Sequence, residues 1–188
     1  MKKIEKYFIF ILLSNCLIFS EVFSQQIAFE QNYGGINDQS AWSVLQTSDG
    51  GYILGGNHEN ASLGFYESYI IKTDSLGNIL WSNKYGNDNI GTTSDIIEIN
   101  YNSYVFTGGS FDSIGKVDPY IVKIDSIGNI TYIKIYGESN LAFALKILKV
   151  NNGFLILGQT QLDSLGNSHI YLLRTNYNGD TVWTKIYG

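Results

Sequence analysis

Cysteine, proline and methionine each occur once in the 188 residues, histidine twice, and charged residues make up only 15% of the chain. One cysteine, Cys16, excludes an internal disulfide framework and any multi-thiolate metal site. The scarcity of charge excludes a coiled coil, and the even spread of the acids excludes a disordered acidic tail. The two histidines, His58 and His169, belong to no HExxH motif, and the chain has no CxxC pair and no Gly-x-Ser-x-Gly elbow. No cofactor is implied by any motif. Lys and Arg number 12 against 17 Asp and Glu, a formal net charge of −5 with no basic cluster. That balance argues against nucleic acid or an anionic membrane as partner.

The abundant residues are those of strands and tight turns. Aromatics are 14% of the chain, with 14 Tyr and 10 Phe, and Gly occurs 20 times. Tyr, Ile, Val and Thr suit a pleated, half-buried surface, while Gly, Asn and Asp suit turns. This mixture is expected to give an all-β fold of many short strands.

The first 24 residues stand apart. Lys2, Lys3 and Lys6 form a basic start, Tyr7 to Ser20 is an apolar run broken at Ser14, Asn15 and Cys16, and Val22-Phe23-Ser24 precedes Gln25 as a cleavage site. A basic start, a short apolar middle and such a site describe a secretory signal peptide. The run is shorter than the roughly 20 residues of a spanning helix. The expectation is therefore an exported chain, secreted, periplasmic or on the cell surface, with no membrane insertion after cleavage. Leu13-Ser14-Asn15-Cys16 is similar to a lipoprotein box, but Asn15 is unusual there and the residues after Cys16 stay apolar. Cys16 is therefore read as part of the cleaved segment. Removing residues 1–24 takes away 3 of the 12 basic and 2 of the 17 acidic residues, leaving 9 and 15, a net of −6.

Internal repetition dominates the rest. Ile79-Leu80-Trp81-Ser82-Asn83-Lys84-Tyr85-Gly86 recurs 51 residues later as Ile130 to Gly137, and again as Thr181 to Gly188. Lys72-Thr73-Asp74-Ser75-Leu76-Gly77-Asn78 recurs as Lys123 to Asn129 and Arg174 to Asp180, and Tyr52 to Gly56 as Tyr104 to Gly108 and Phe154 to Gly158. Each unit reads as four strands, in the first copy about Ala41 to Thr47, Tyr52 to Asn57, Ser68 to Thr73 and Ile79 to Tyr85. Gly and Asn at the turn tips supply positive φ. One four-stranded sheet cannot hide both faces, whereas sheets packed face to face around an axis can, and a period near 50 is that of kelch-sized propeller blades. The expected architecture is all-β and β-propeller-like, with three four-stranded antiparallel blades at 36–86, 87–137 and 138–188. Before them, after the signal peptide at 1–24, comes an orphan fourth strand within 25–35. Ile27 to Gly34 carries the strand-four pattern, with an aromatic third, Tyr seventh and Gly eighth.

Three blades are fewer than closed propellers typically have. The sequence leaves open an N-terminal part of a longer propeller, self-association of copies to complete the ring, and an open three-sheet stack. Gly56, Gly108 and Gly158 are expected where neighbouring sheets approach. Trp81, Tyr132 and Trp183 are expected to fill the gaps between blades.

The unit Gly51 to Gly56, then Tyr69 to Trp81, then Lys84-Tyr85-Gly86 resembles a family of bacterial secreted β-propeller repeat proteins that often carry a C-terminal sorting domain for type IX secretion. The resemblance covers about residues 27 to 188 and implies a propeller fold and export. It implies no activity, and the lack of a sorting domain fits a fragment. The Asp-x-x-Gly-x-x-x-Trp stretch is also similar to the blade motif of quinoprotein dehydrogenases and outer-membrane assembly propellers, where it is structural.

Two repeated features carry possible chemistry. Asp74 and Asp125 recur in the turn between strands three and four, with Asn176 in the third copy. Calcium would need six to eight oxygens, whereas a turn residue need only bond its own backbone, and the Asp-to-Asn change favours the turn. Lys72, Lys123 and Arg174 keep a positive charge and are expected to face solvent or to pair with acids on the next strand. The loops between strands two and three and between units vary most and share one face of a propeller. An acidic, amide-rich binding face is expected there, with Asp38, Glu59, Glu67, Asp88, Asp112, Asp118, Glu138 and Asp163 as its candidates. Asn60-Ala61-Ser62 and Asn129-Ile130-Thr131 match the glycosylation pattern, to which the resemblance to bacterial proteins gives little weight.

The functional expectation is a non-enzymatic exported module that binds or scaffolds at the cell surface, with a protein or a glycan as partner. Two alternatives stand beside it. One is part of a glycan-active or quinone-dependent propeller enzyme whose catalytic residues lie in further blades. The other is a structural repeat of a large surface protein.

Overall fold

Among the described residues, those that alternate or run apolar in each repeat become twelve strands, and the Gly- and Asn-bearing segments become the turns between them. The computed structural model describes residues 29–62, 64–86, 90–111, 116–137, 141–160 and 165–188. The expected signal peptide lies outside the described residues. The first sheet is β1 (Gln39–Gln46), β2 (Tyr52–Asn60), β3 (Phe65–Thr73) and β4 (Ile79–Tyr85). The second is β5 (Thr92–Asn100), β6 (Ser103–Phe111), β7 (Val117–Ile124) and β8 (Ile130–Ile135). The third is β9 (Leu141–Val150), β10 (Gly153–Thr160), β11 (Ile170–Thr175) and β12 (Thr181–Tyr187). Each sheet is an antiparallel meander in sequence order, and the three do not close into a ring. The all-β, blade-like architecture read from the repeat is present.

Local backbone features repeat with the sequence. Gly50, Asn102 and Asn152 take positive φ in the turn between the first two strands of each sheet, Asn being the side chain that tolerates the left-handed region best. Gly77, Gly128 and Gly179 do the same in the turn between the last two. The register slips by one residue in the first strand of each copy, around Trp42, Ser94 and Leu145, and in the last strand around Leu80, Thr131 and Val182. Such bulges sharpen the twist that lets one sheet lie across the next.

Gly56, Gly108 and Gly158 correct one expectation. A Cβ at these positions would strike the first strand's own carbonyl, Ser40 O, Thr92 O or Phe143 O, at the bulge. The close approach lies within each sheet, not between sheets.

Burial holds the sheets together. Ile53, Ile70 and Tyr85 of the first sheet form one core with Tyr104, Phe106, Tyr120, Val122 and Ile124 of the second. Val105 and Ile121 of the second sheet form another with Ile147, Phe154, Ile156, Tyr171 and Leu173 of the third. Each fully buried aromatic contributes about 2 kcal/mol of apolar transfer. Hydrogen bonds fix the stagger. Tyr85 Oη donates to Gly128 O at 2.7 Å and Tyr136 Oη to Gly179 O at 2.9 Å, each reaching the next sheet's final turn. Trp81 Nε1 donates to Ser126 O and Tyr132 Oη to Tyr177 O in the same direction. The first strands are stitched by Asp95, which accepts Ser43 Oγ from the first sheet at 2.7 Å and Ile147 N and Lys146 Nζ from the third at 3.1 and 3.2 Å.

The N-terminal segment follows the same rule. Residues 29–35 form no β-ladder among the described residues. Nevertheless Tyr33 Oη donates to Gly77 O at 2.8 Å, and Phe29 lies against Tyr52 at 5.7 Å between ring centroids. The segment thus sits on the first sheet as β4 sits on the second and β8 on the third.

The two internal interfaces are not equivalent at one buried hydroxyl. Tyr120 Oη meets Ser68 Oγ at 2.8 Å, Thr92 O at 3.2 Å and Thr93 Oγ1 at 3.4 Å. Its counterpart Tyr171 Oη finds no partner among the described residues, because Pro119 stands where Ser68 stands and Ala144 where Thr93 stands. Tyr120→Phe should therefore cost about 1–2 kcal/mol in urea unfolding, while Tyr171→Phe, which removes an unpartnered hydroxyl, should cost nothing or stabilise by about 1 kcal/mol. Equal costs would contradict this account.

Burial also pushes the phenols of Tyr85, Tyr120 and Tyr132 up to about 12, with Asp180 adding to the shift at Tyr132. The unfolded chain ionises near pH 10 while these groups stay protonated, so the folded state binds more protons between about 10 and 12. Their contribution is complete below pH 10 and is lost as pH rises through 12. Absorbance at 295 nm should show part of the tyrosine titration delayed until alkaline unfolding, and full titration before unfolding would refute it.

Candidate binding face

In every sheet the end of the second strand, the start of the third and the end of the fourth come to the same end as the chain's passage to the next sheet. The antiparallel order makes this unavoidable. The expected candidates Asp38, Glu59, Glu67 and Asp118 all lie at that end. Asp88, Asp112, Glu138 and Asp163 lie outside the described residues.

The four are not alike. Asp38 O accepts Glu59 N at 2.8 Å, and Asn37 Nδ2 donates to Glu59 O at 3.1 Å, so these two are joined through their backbones. Glu59 and Asn60 belong to β2 and Glu67 to β3, where a loop was expected, because the hairpin pairing continues to Asn60 opposite Phe65. Glu67 and Asp118 are mostly covered, not loop-borne and free: the Glu67 and Asp118 side chains keep only 11% and 14% of their exposure. Asp118 lies 2.8 Å from Lys116 Nζ, which also donates to Gly137 O at 2.6 Å.

Glu67, Asp118 and His169 share one repeat position, and each presses against the glycine after the fourth strand. A Cβ on Gly86, Gly137 or Gly188 would meet Glu67, Asp118 or His169 respectively. The Tyr-Gly motif therefore has its glycine because a polar side chain occupies that space. Opposite these residues stand His58 and Ser110, paired with Glu67 and Asp118, and Thr160, whose Oγ1 accepts His169 N at 2.9 Å. The frame repeats while the polar pair changes from copy to copy.

In the first sheet this position becomes a row of three ionisable side chains. Lys84 Nζ lies 2.8 Å from His58 Nε2, and His58 Nδ1 lies 3.4 Å from Glu67 Oε1. An ammonium can only donate, so Nε2 accepts and the imidazole proton sits on Nδ1, which stands near the carboxylate without forming a hydrogen bond to it. Asn60 Nδ2 donates to Glu67 Oε2 at 3.2 Å, and the Tyr69 ring lies 6.1 Å from the imidazole and 6.0 Å from the ammonium. His58, Tyr69 and Lys84, with the backbone of residues 34–37, line a groove of about 420 Å³. Such a groove can receive a ligand with an acceptor for the ammonium and an apolar edge for the ring. Sequence reasoning placed His58 just after the second strand as a lone solvated residue. It is on β2 and buried, and the signal that could have found it was Lys84, which replaces the aliphatic Ile135 and Ile186 of the other copies.

The opposite end carries the Asp74 turn, and it is a turn device. Asp74 Oδ1 accepts Leu76 N and Asn78 N at 2.8 and 2.9 Å, while Oδ2 accepts Asn78 Nδ2 at 2.9 Å. Asp125 repeats this with Ile127 and Asn129. In the third copy the pair is reversed: Asn176 Oδ1 accepts Asn178 N and Asp180 N, and Asn176 Nδ2 donates to Asp180 Oδ2 at 3.0 Å. Asp180 also pairs with Lys134 of the second sheet at 3.0 Å.

Lys72 is buried at 2% exposure, so of the two expected arrangements it takes the pairing with an acid and not the solvent-facing one, the acid lying in the turn before β2. It is drawn in by Asp49, 2.9 Å away, and by Thr73 O. Burial alone would raise the Asp49 carboxyl, but hydrogen bonds from Thr47, Lys72 and Gly51 N outweigh it and hold the group at about 2. The stability this gives is complete above pH 4 and is lost as pH falls towards 2. Arg174 turns instead to the carbonyls of Phe154, Thr175 and Asn151.

No family model and no curated protein sequence matches the chain.

The Lys84–His58 contact makes a direct prediction. Nitrogen-15 NMR should show the neutral His58 imidazole as the Nδ1–H tautomer, and Lys84→Met should shift the Nε2 resonance by removing its donor. A predominant Nε2–H tautomer in the unmodified chain would refute the contact.

Proposed function

We propose that this chain is an exported, non-enzymatic repeat module of the β-propeller type that works by binding, with a protein or a glycan as partner. The observation that carries this reading is the contrast between the two ends of the sheets. One end repeats its turn chemistry three times. The other keeps a common glycine frame but changes the polar pair above it, from His58 and Glu67 to Ser110 and Asp118 to Thr160 and His169. A rigid frame with interchangeable polar side chains is how recognition is built on a regular scaffold. The resemblance to bacterial secreted propeller repeats and the basic-apolar leader support export.

The enzymatic reading has one observation in its favour, the Glu67–His58–Lys84 order beside a groove. A carboxylate, an imidazole and an amine in sequence could move a proton. Turnover of a glycan substrate that His58→Ala abolished while binding survived would establish it in place of the binding reading.

The test is binding of the labelled chain to immobilised neutral and charged polysaccharides and to the surface of the producing cells. Reversing charge at Asp38 and Glu59, together with Asp88, Asp112 and Asp163, should weaken the retained interaction tenfold or more. Unchanged binding to every partner would sink the proposed face.

A further inference from the structure

We infer that the outward apolar face of the third sheet is a seat for the first sheet of a second copy of this chain, and that residues 29–35 compete with that copy for the seat. The argument starts from the repeat. One sheet face carries Ile53 in the first copy, Val105 in the second and Leu155 in the third. Ile53 and Val105 are fully buried because the next sheet covers them, whereas around Leu155 the face lies open, with Leu148 at 59% and Tyr187 at 50% exposure against 6% for Tyr85. All seven residues of β12 are exposed. Among the described residues nothing covers, on the third sheet, the face that the first two use to bind their successors.

The matching surface is the opposite face of the first sheet. Tyr52, Leu54 and Tyr69 stand where Tyr104, Phe106 and Tyr120 stand in the second sheet. The latter are fully buried, while the former are half-exposed. Tyr33, Leu54, Tyr69 and Ile71 line a small groove on that face, which the N-terminal segment leaves partly covered. The two surfaces therefore stand in the relation already realised twice inside the chain, and the contact would continue those interfaces.

The segment 29–35 prevents a simple addition. Tyr187 of an arriving copy would donate to Gly77 O, as Tyr85 donates to Gly128 O and Tyr136 to Gly179 O. Tyr33 already makes that bond. The arriving strand β12 and residues 29–35 cannot hold it together. The segment, tethered to the same chain, has the concentration advantage, so association should be weak until the segment is released. Such a contact is head to tail: it closes if the rotation allows, giving six sheets from two copies, and otherwise runs on as an open assembly.

Sedimentation velocity of the exported chain, with and without Tyr33→Ala, tests this. The substitution should tighten association tenfold or more, and a variant lacking residues 25–35 should behave alike. Leu148→Lys, on an already exposed position, should abolish association by the first variant. Tyr69→Lys should block the other end, so that mixing it with the Leu148→Lys chain, both also carrying Tyr33→Ala, gives a discrete complex of two chains. Far-ultraviolet circular dichroism unchanged in each variant secures the comparison. Tyr33→Ala chains that stay monomeric, or that associate as well with Leu148→Lys, would overturn the inference. So would a natively exported product whose own further repeats bury Leu148 in a compact monomer.

Discussion

A four-stranded sheet of this composition has two apolar faces, and everything else in the molecule follows from the need to cover them. Hydrophobic burial is non-directional and would accept many ways of stacking the sheets. The stagger is chosen by the tyrosines, because Tyr85 and Tyr136 must place their hydroxyls on a carbonyl of the next sheet's final turn. A buried phenol without a partner is costly, so the polar tip selects one alignment out of those that burial permits. The glycine at each turn tip, the bulges that twist the strands and the Asp95 junction between first strands all serve that one arrangement.

Strands, turns and the number of sheets were legible because they rest on short-range patterns that recur three times. The aromatic-x-x-x-Tyr-Gly run marked every fourth strand, and the positions of its aromatic and Tyr in 29–33 identified a segment that packs on the first sheet in the same way. What escaped was chemistry that depends on pairing across strands. Glu59, Asn60 and Glu67 look like loop residues by composition, yet they extend a hairpin because each has a cross-strand partner. Lys72 looks like a surface cation, and only the fold brings Asp49 under it. Asp95 escaped for another reason: Ser43, Asp95 and Lys146 share one repeat position but no chemical type, so comparison of the copies made it look variable when the three are joined to one another.

The candidate face illustrates the same limit. Acidic residues near loops were legible, but a count of acids does not distinguish Glu59, half-buried and held by its backbone, from Glu67, tucked under a glycine and set against an imidazole. The distinction matters for function, since a buried carboxylate shapes the neighbouring side chains and an exposed one meets the ligand. Lys84 is the residue through which the two roles connect, being exposed itself and bonded to His58, which stands 3.4 Å from Glu67.

The reversed turn of the third copy has an evolutionary consequence. Asp74 with Asn78 and Asn176 with Asp180 clip the same loop with the same number of side-chain contacts, so either polarity satisfies the backbone. The negative charge is therefore free to migrate by four residues between duplicated units at little cost to the fold. In the third copy that migration set the charge beside Lys134 and added a tie between sheets. A repeat that tolerates such exchange carries a store of nearly neutral variation, from which contacts between neighbours can be tuned one unit at a time.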